Sequence, residues 1–129
     1  MPQALIWGAS GGIGSALVRT LKSAGWHVYA AAREESRIPP KADLMSAFRA
    51  DSEYSIQATV ARIAYESSEL DLVVYAAGGL QAATVSDLSA ADWQAVLDAN
   101  LTGAYLCAKH SLPLLKADGH MLFMGAYTD

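Results

Sequence analysis

Residues 7 to 14 read WGASGGIG, which places four glycines in the seven positions from Gly8 to Gly14, directly behind the apolar run Ala4-Leu5-Ile6-Trp7. Glycine loses more backbone freedom on folding than any other residue, so this density belongs where the chain turns through positive φ or approaches another group closely. Ile13, Leu17, Leu21 and Ala24 then recur at helical spacing as far as Gly25, which stands where a helix stops. A strand, a glycine loop and an amphipathic helix in that order form the setting in which such a loop cradles a pyrophosphate. The amides reach the anion because no side chain intervenes, and the helix starting near Ile13 adds open donors and a dipole worth about 0.3–1 kcal/mol per contact. Gly8, Ser10, Gly11, Gly12, Ile13 and Gly14 are the candidate phosphate-binding residues. Two spacings fit the loop: Gly8, Gly12 and Gly14 as G-x-x-x-G-x-G, or Gly8, Gly11 and Gly14 as G-x-x-G-x-x-G.

Short apolar runs continue to alternate with longer segments of helical period, the pattern of βαβ units around a parallel sheet. Strands are expected at residues 4–7, 26–31, 44–50, 70–76 and 120–124, with Ile38-Pro39-Pro40-Lys41 as a stiff loop. Ile56, Val60, Ile63 and Ala64 mark a helix after the third strand. Ser89 followed by Asp92 resembles a capping box opening a long helical region, with Trp93, Val96, Leu97, Leu101, Ala104 and Ala108 along one side. The fold expected is an α/β, Rossmann-type doubly wound parallel sheet of strand order 3-2-1-4-5, in a single domain over residues 1–129.

The composition, 53% hydrophobic and 17% charged, is that of a globular protein, and a net charge of -4 argues against a nucleic-acid surface. Cys107 is the lone cysteine, so no intrachain disulfide forms, and His27, His110 and His120 are too scattered for a metal site. The N-terminal MPQALIW lacks a basic leader, and no apolar run approaches the roughly 18 residues of a membrane span. A cytoplasmic protein with no nucleic-acid or membrane partner is expected.

The chain resembles the short-chain dehydrogenase/reductase family, whose first glycine spacing is that of Gly8, Gly12 and Gly14. Tyr75-Ala76-Ala77-Gly78 stands where the family has Asn-Asn-Ala-Gly or Asn-Ala-Ala-Gly after strand four, and Asn100-Leu101-Thr102-Gly103 resembles its asparagine motif. Together they favour the classical branch over the extended one and bring Ala76, Ala77 and Gly78 to the cofactor. At the end of strand two, an acidic residue accepts from the ribose 2′-OH of NAD, whereas a basic one accommodates the 2′-phosphate of NADP. Ala32 stands where NAD-preferring members carry Asp, and Arg33 follows as in NADP-preferring ones. NADP(H) is the expected cofactor, with NAD(H) as the alternative. The other role open to Arg33 is a solvated ion pair with Glu34 or Glu35. By the same resemblance Asp51, ending strand three, accepts from the adenine amino group with Ser52 beside it; helix capping is its alternative role.

The chemistry the resemblance implies is hydride transfer between the nicotinamide and a carbonyl or alcohol. It calls for a tyrosine acid/base, a lysine lowering its pKa, a serine polarising the substrate and an asparagine holding a relay water. Asn100 matches the asparagine and is the catalytic candidate; its other reading is a helix-kink residue before Gly103. Gly125 and Ala126 stand where the family has Ser-Ser, with Tyr127 and Thr128 the nearest hydroxyls. Tyr105 and Lys109 have the Tyr-x-x-x-Lys spacing but precede strand five, and read as a helix-surface pair. The expectation is the cofactor-binding, N-terminal part of an NADP-dependent reductase, inactive alone, with a non-catalytic NADP(H)-binding sensor or interaction module as the other class. Strand 120–124 is apolar, without charge or proline, and at the sheet edge it calls for cover by a further strand or by a second copy in a homo-oligomer.

Overall fold

The computed structural model describes residues 1–79 and 82–125. The elements run β1 (Gln3–Trp7), α1 (Gly12–Ser23), β2 (His27–Ala32), β3 (Leu44–Ala47), α2 (Glu53–Glu66), β4 (Leu70–Tyr75), α3 (Ala90–Leu97), α4 (Gly103–Ser111) and β5 (Leu115–Phe123). All strand pairs are parallel and the sheet order is β3-β2-β1-β4-β5, the order expected. Successive β1 residues feed opposite layers. Leu5 and Trp7 join a core with Phe48, Ile56, Ile63 and Cys107 on the α2 and α4 side, while Ala4 and Ile6 pack with Val18 and Val28 beneath α1.

Local signals hold well around α1. Gly25 follows the cap Ala24 at φ +88, and Trp26 N donates to Leu21 O (2.9 Å) while Gly25 N donates to Lys22 O (3.1 Å), the paired bonds of a Schellman stop.

Three features differ from expectation by more than a single residue at an element's end. Strand β3 ends at Ala47 rather than Ala50, because Phe48 turns into the core and meets the Trp7 ring edge to face at 4.9 Å. The long helical region is not one helix: a π-helical turn, Asp98–Thr102, separates α3 from α4. Strand β5 begins at Leu115 rather than His120, and its register with β4 slips between the pairs Leu70–Leu115 and Leu72–His120. The extra residues form a bulge whose Lys116 reaches Asp71 at 2.9 Å, so the strand carries charge where none was expected. Its last residues keep the expected character: β5 is at the end of the sheet order, with Leu122 and Phe123 about half exposed.

The N-terminal ends of the strands are tied by carboxylates. Asp71 accepts from the Gln3 amide as well as from Lys116, which holds its carboxyl below the ordinary value. Burial alone would raise the Asp43 carboxyl, but hydrogen bonds from Lys22 Nζ and the Val28 amide, each 2.8 Å, outweigh it and leave the pKa lowered. A lowered folded pKa means that Asp43 stabilises the fold above the ordinary carboxylate value, about 3.9, and that this contribution is lost as pH falls through the folded value. Asp43→Asn is expected to remove about 1 kcal/mol of the stability difference between pH 7 and pH 3, measured by urea unfolding at both. An unchanged difference would refute the assignment.

Candidate functional site

Strand β1 ends at Trp7, and Gly8 leaves it at φ +90, with Gly8 N and Ala9 N both donating to Ala31 O at 2.8 and 3.0 Å. Helix α1 starts four residues later with Gly11 at its N-cap and no side chain capping it, so its first-turn amides remain available as donors. The glycines divide by what a Cβ would meet. At Gly8 it would lie 2.3 Å from Ala77 N, and at Gly14 2.0 Å from Gly8 O, so both are required by backbone packing. At Gly12 nothing lies within 4 Å, and at Gly11 only Gly8 O at 3.7 Å. The loop thus has bare backbone on an open side, as a phosphate cradle needs.

A groove of about 520 Å³ lies along this loop. Its walls include Gly8, Ser10 and Gly11 after β1, Arg33 after β2, and Ala76, Ala77 and Gly78 after β4. These are the C-terminal ends of β1 and β4, which flank the place where the sheet order reverses, and of β2 next to β1. Seven of the twelve expected cofactor residues therefore converge. Gly12, Ile13 and Gly14 stand outside the lining, at the start of α1.

Arg33 is exposed at the groove, and neither acidic neighbour pairs with it. Glu34 binds Arg37 Nε at 3.3 Å, while Glu35 accepts from the Ala47 amide at 3.1 Å and lies 3.8 Å from Arg62. Among the described residues Arg33 has no ion pair within 4.0 Å, so the solvated pair with Glu34 or Glu35 does not form.

Asp51 and Ser52 line no part of this groove. With β3 ending early, Asp51 does not end a strand, and it is Ser52, not Asp51, that caps α2 by accepting from the Ser55 amide at 3.2 Å. Asp51 instead takes the Arg49 fork, Nε to Oδ1 at 3.0 Å and Nη2 to Oδ2 at 2.9 Å, which holds its carboxyl below the usual range. It borders a second groove of about 450 Å³ that shares Arg33, Ala50, Ala95 and Ala99 with the first.

Asn100 lies in the π-helical turn, where its Nδ2 donates to Val96 O (2.9 Å) and to Gly79 O (2.8 Å). The side chain thereby joins the π-helical turn to the strap after β4. Sequence reasoning missed the partner of this turn: the buried Tyr75 hydroxyl donates to Ala99 O, and burial keeps the phenol well above its ordinary pKa, hence protonated. Gly103 completes the contact, since a Cβ there would fall 2.5 Å from Tyr75 Oη. No local signal marks this, because residues 75 and 99 meet only through the fold. Arg37 also lines the groove and was missed, although its charge was visible in the sequence.

Tyr105 and Lys109 are a surface pair, with Nζ 6.0 Å from the ring centre and 3.7 Å from Glu53. Cys107 is buried, and burial pushes its thiol pKa up, so it is not a nucleophile. Among the described residues no three His, Cys, Asp or Glu side chains gather as metal ligands, and no helix is long and apolar enough to cross a membrane. Ala126, Tyr127 and Thr128 lie outside the described residues.

A Rossmann-type sheet with a bare glycine loop at its switch point defines the architectural class. A family model, short chain dehydrogenase, matches residues 2–126, and the chain belongs to that oxidoreductase family. It is 30% identical over 121 residues to the rhamnolipids biosynthesis 3-oxoacyl-(acyl-carrier-protein) reductase of Pseudomonas aeruginosa, covering 88% of this chain and 47% of that protein. Among solved structures it resembles sorbitol-6-phosphate 2-dehydrogenase from Erwinia amylovora, with TM-score 0.83 and 27% identity over 93% of this chain and 52% of that one. It also resembles an actinorhodin polyketide ketoreductase solved with NADPH, with TM-score 0.79 and 26% identity over 88% and 47% of the two chains. The chain spans about half the length of the relatives it matches.

Proposed function

We propose that the protein is an NADP(H)-dependent oxidoreductase that transfers hydride between the nicotinamide and a small carbonyl or alcohol substrate, working as a cytoplasmic homo-oligomer. The observation that carries the cofactor reading is Arg33, exposed at the glycine-loop groove with its acidic neighbours engaged elsewhere. A guanidinium left without a carboxylate matches a phosphate bidentately. A similar fold is solved with NADPH, which agrees with this reading. The dinucleotide, when bound, supplies the hydride donor or acceptor. In this reading the amides of Gly12, Ile13 and Gly14 hold the pyrophosphate, Gly8, Ser10 and Gly11 form the loop around it with the Gly11 amide donated to Gly8 O, and Ala76, Ala77 and Gly78 line the opposite wall. Arg33 takes the 2′-phosphate. Asp51, with two of a carboxylate's roughly four acceptor positions given to Arg49, keeps the rest for the adenine amino group beside Ser52. Asn100 holds a relay water in addition to fixing the π-helical turn.

Fluorescence titration tests the cofactor assignment. NADPH is expected to bind about tenfold to a hundredfold tighter than NADH, and Arg33→Ala to remove most of that ratio. Equal affinities in the unmutated protein would overturn the NADP(H) preference, and binding of neither would overturn the site.

A further inference from the structure

Arg37 ends a 3-10 turn, Glu35–Arg37, that brings it to the same groove as Arg33. The turn is anchored rather than loose. Glu35 accepts from the Ala47 amide, tying it to the end of β3, and Ile38, the next residue, is buried against the α1 side of the sheet. The Arg37 side chain remains exposed, closing on Glu34 through Nε at 3.3 Å. A guanidinium has five N–H donors, so an ion pair made through Nε orients the fork and leaves terminal donors for a ligand. Two arginines therefore reach one groove beside Ser10 and Gly11, with Glu34 the carboxylate paired to one of them; the acidic residue in the groove lining, Asp92, belongs to the first turn of α3.

We propose that Arg37 is a second specificity-determining residue, which with Arg33 clasps a phosphomonoester dianion, the 2′-phosphate of NADP(H), while Glu34 orients it. This rests on the NADP(H) reading above and adds to it a residue from a different element. A single exposed arginine is a mobile point of attraction, whereas two guanidinium groups address more of the phosphate's oxygens and discriminate more strongly against a ribose hydroxyl.

The test compares the dissociation constants of NADPH, NADH and adenosine 2′,5′-bisphosphate for the unmutated protein, Arg33→Ala and Arg37→Ala, at low and high salt. Arg37→Ala is expected to weaken NADPH and the bisphosphate about fivefold to tenfold, leave NADH within about twofold, and flatten the salt dependence of NADPH binding. If Arg33→Ala collapses the NADPH-to-NADH ratio and Arg37→Ala leaves it intact, the clasp is wrong and the cofactor reading stands. If Arg37→Ala weakens NADH as much as NADPH, Arg37 supports the groove wall and does not select, which also overturns the proposal. An unmutated protein without NADPH preference removes both.

Discussion

Gly14→Val is expected to cost the fold about 3 kcal/mol or more, whereas Gly12→Val leaves stability nearly unchanged and abolishes dinucleotide binding. The first Cβ would sit 2.0 Å from the Gly8 carbonyl oxygen, a backbone atom that moves only if the loop or helix moves. The second would meet no atom within 4 Å beyond its chain neighbours and its own helix, so its expected effect falls on the pyrophosphate proposed to sit at the start of α1. Thermal unfolding should fall by roughly 10 °C for Gly14→Val and by little for Gly12→Val, with NADPH binding lost in both. Equal thermal losses would refute the division, and intact binding by Gly12→Val would refute the phosphate cradle.

Trp7→Ala is the other large effect, about 3–5 kcal/mol by urea unfolding, out of the 5–15 kcal/mol typical of a whole domain. The side chain is fully buried, donates from Nε1 to Ser111 Oγ at 3.0 Å, and stands edge to face with Phe48. Phe48 lines the groove, so the same change should weaken cofactor binding through the wall it supports. Trp7→Phe keeps an aromatic ring but leaves the buried Ser111 hydroxyl without its donor, at about 1–3 kcal/mol. Adding Ser111→Ala should recover part of that loss. A Trp7→Phe protein as stable as the parent would show the hydrogen bond to be idle.

Residues close together in sequence were readable in advance. The stop at Gly25, the Ser89 cap and the strand-loop-helix order around WGASGGIG all depend on neighbours within a few positions, and each took the expected form. Strand order followed as well, because parallel strands joined by helices admit few arrangements. The groove was legible to the extent that its walls are strand ends, which explains why Ser10, Arg33 and Ala77 line it together. Asp51 does not end a strand, because Phe48 ends β3 early by packing against Trp7, a residue in another strand.

By itself, then, the sequence determined the element types, the sheet order and the presence of bare backbone at the switch point, since periodicity and turn chemistry are local. Tertiary structure alone decided which glycines serve packing and which face open space. Gly14 is distinguished from Gly12 by contact with the folded loop itself, and Gly8 by contact with Ala77 together with its φ of +90. It alone freed Arg33, by engaging Glu35 with the Ala47 amide twelve residues away. It alone brought a Tyr75 hydroxyl, from the end of a strand, against Ala99 O in the π-helical turn. The physical reason is common to all three: a hydrogen bond or a steric limit between distant residues leaves no periodic trace in the chain, and exists only once the sheet has brought its partners together.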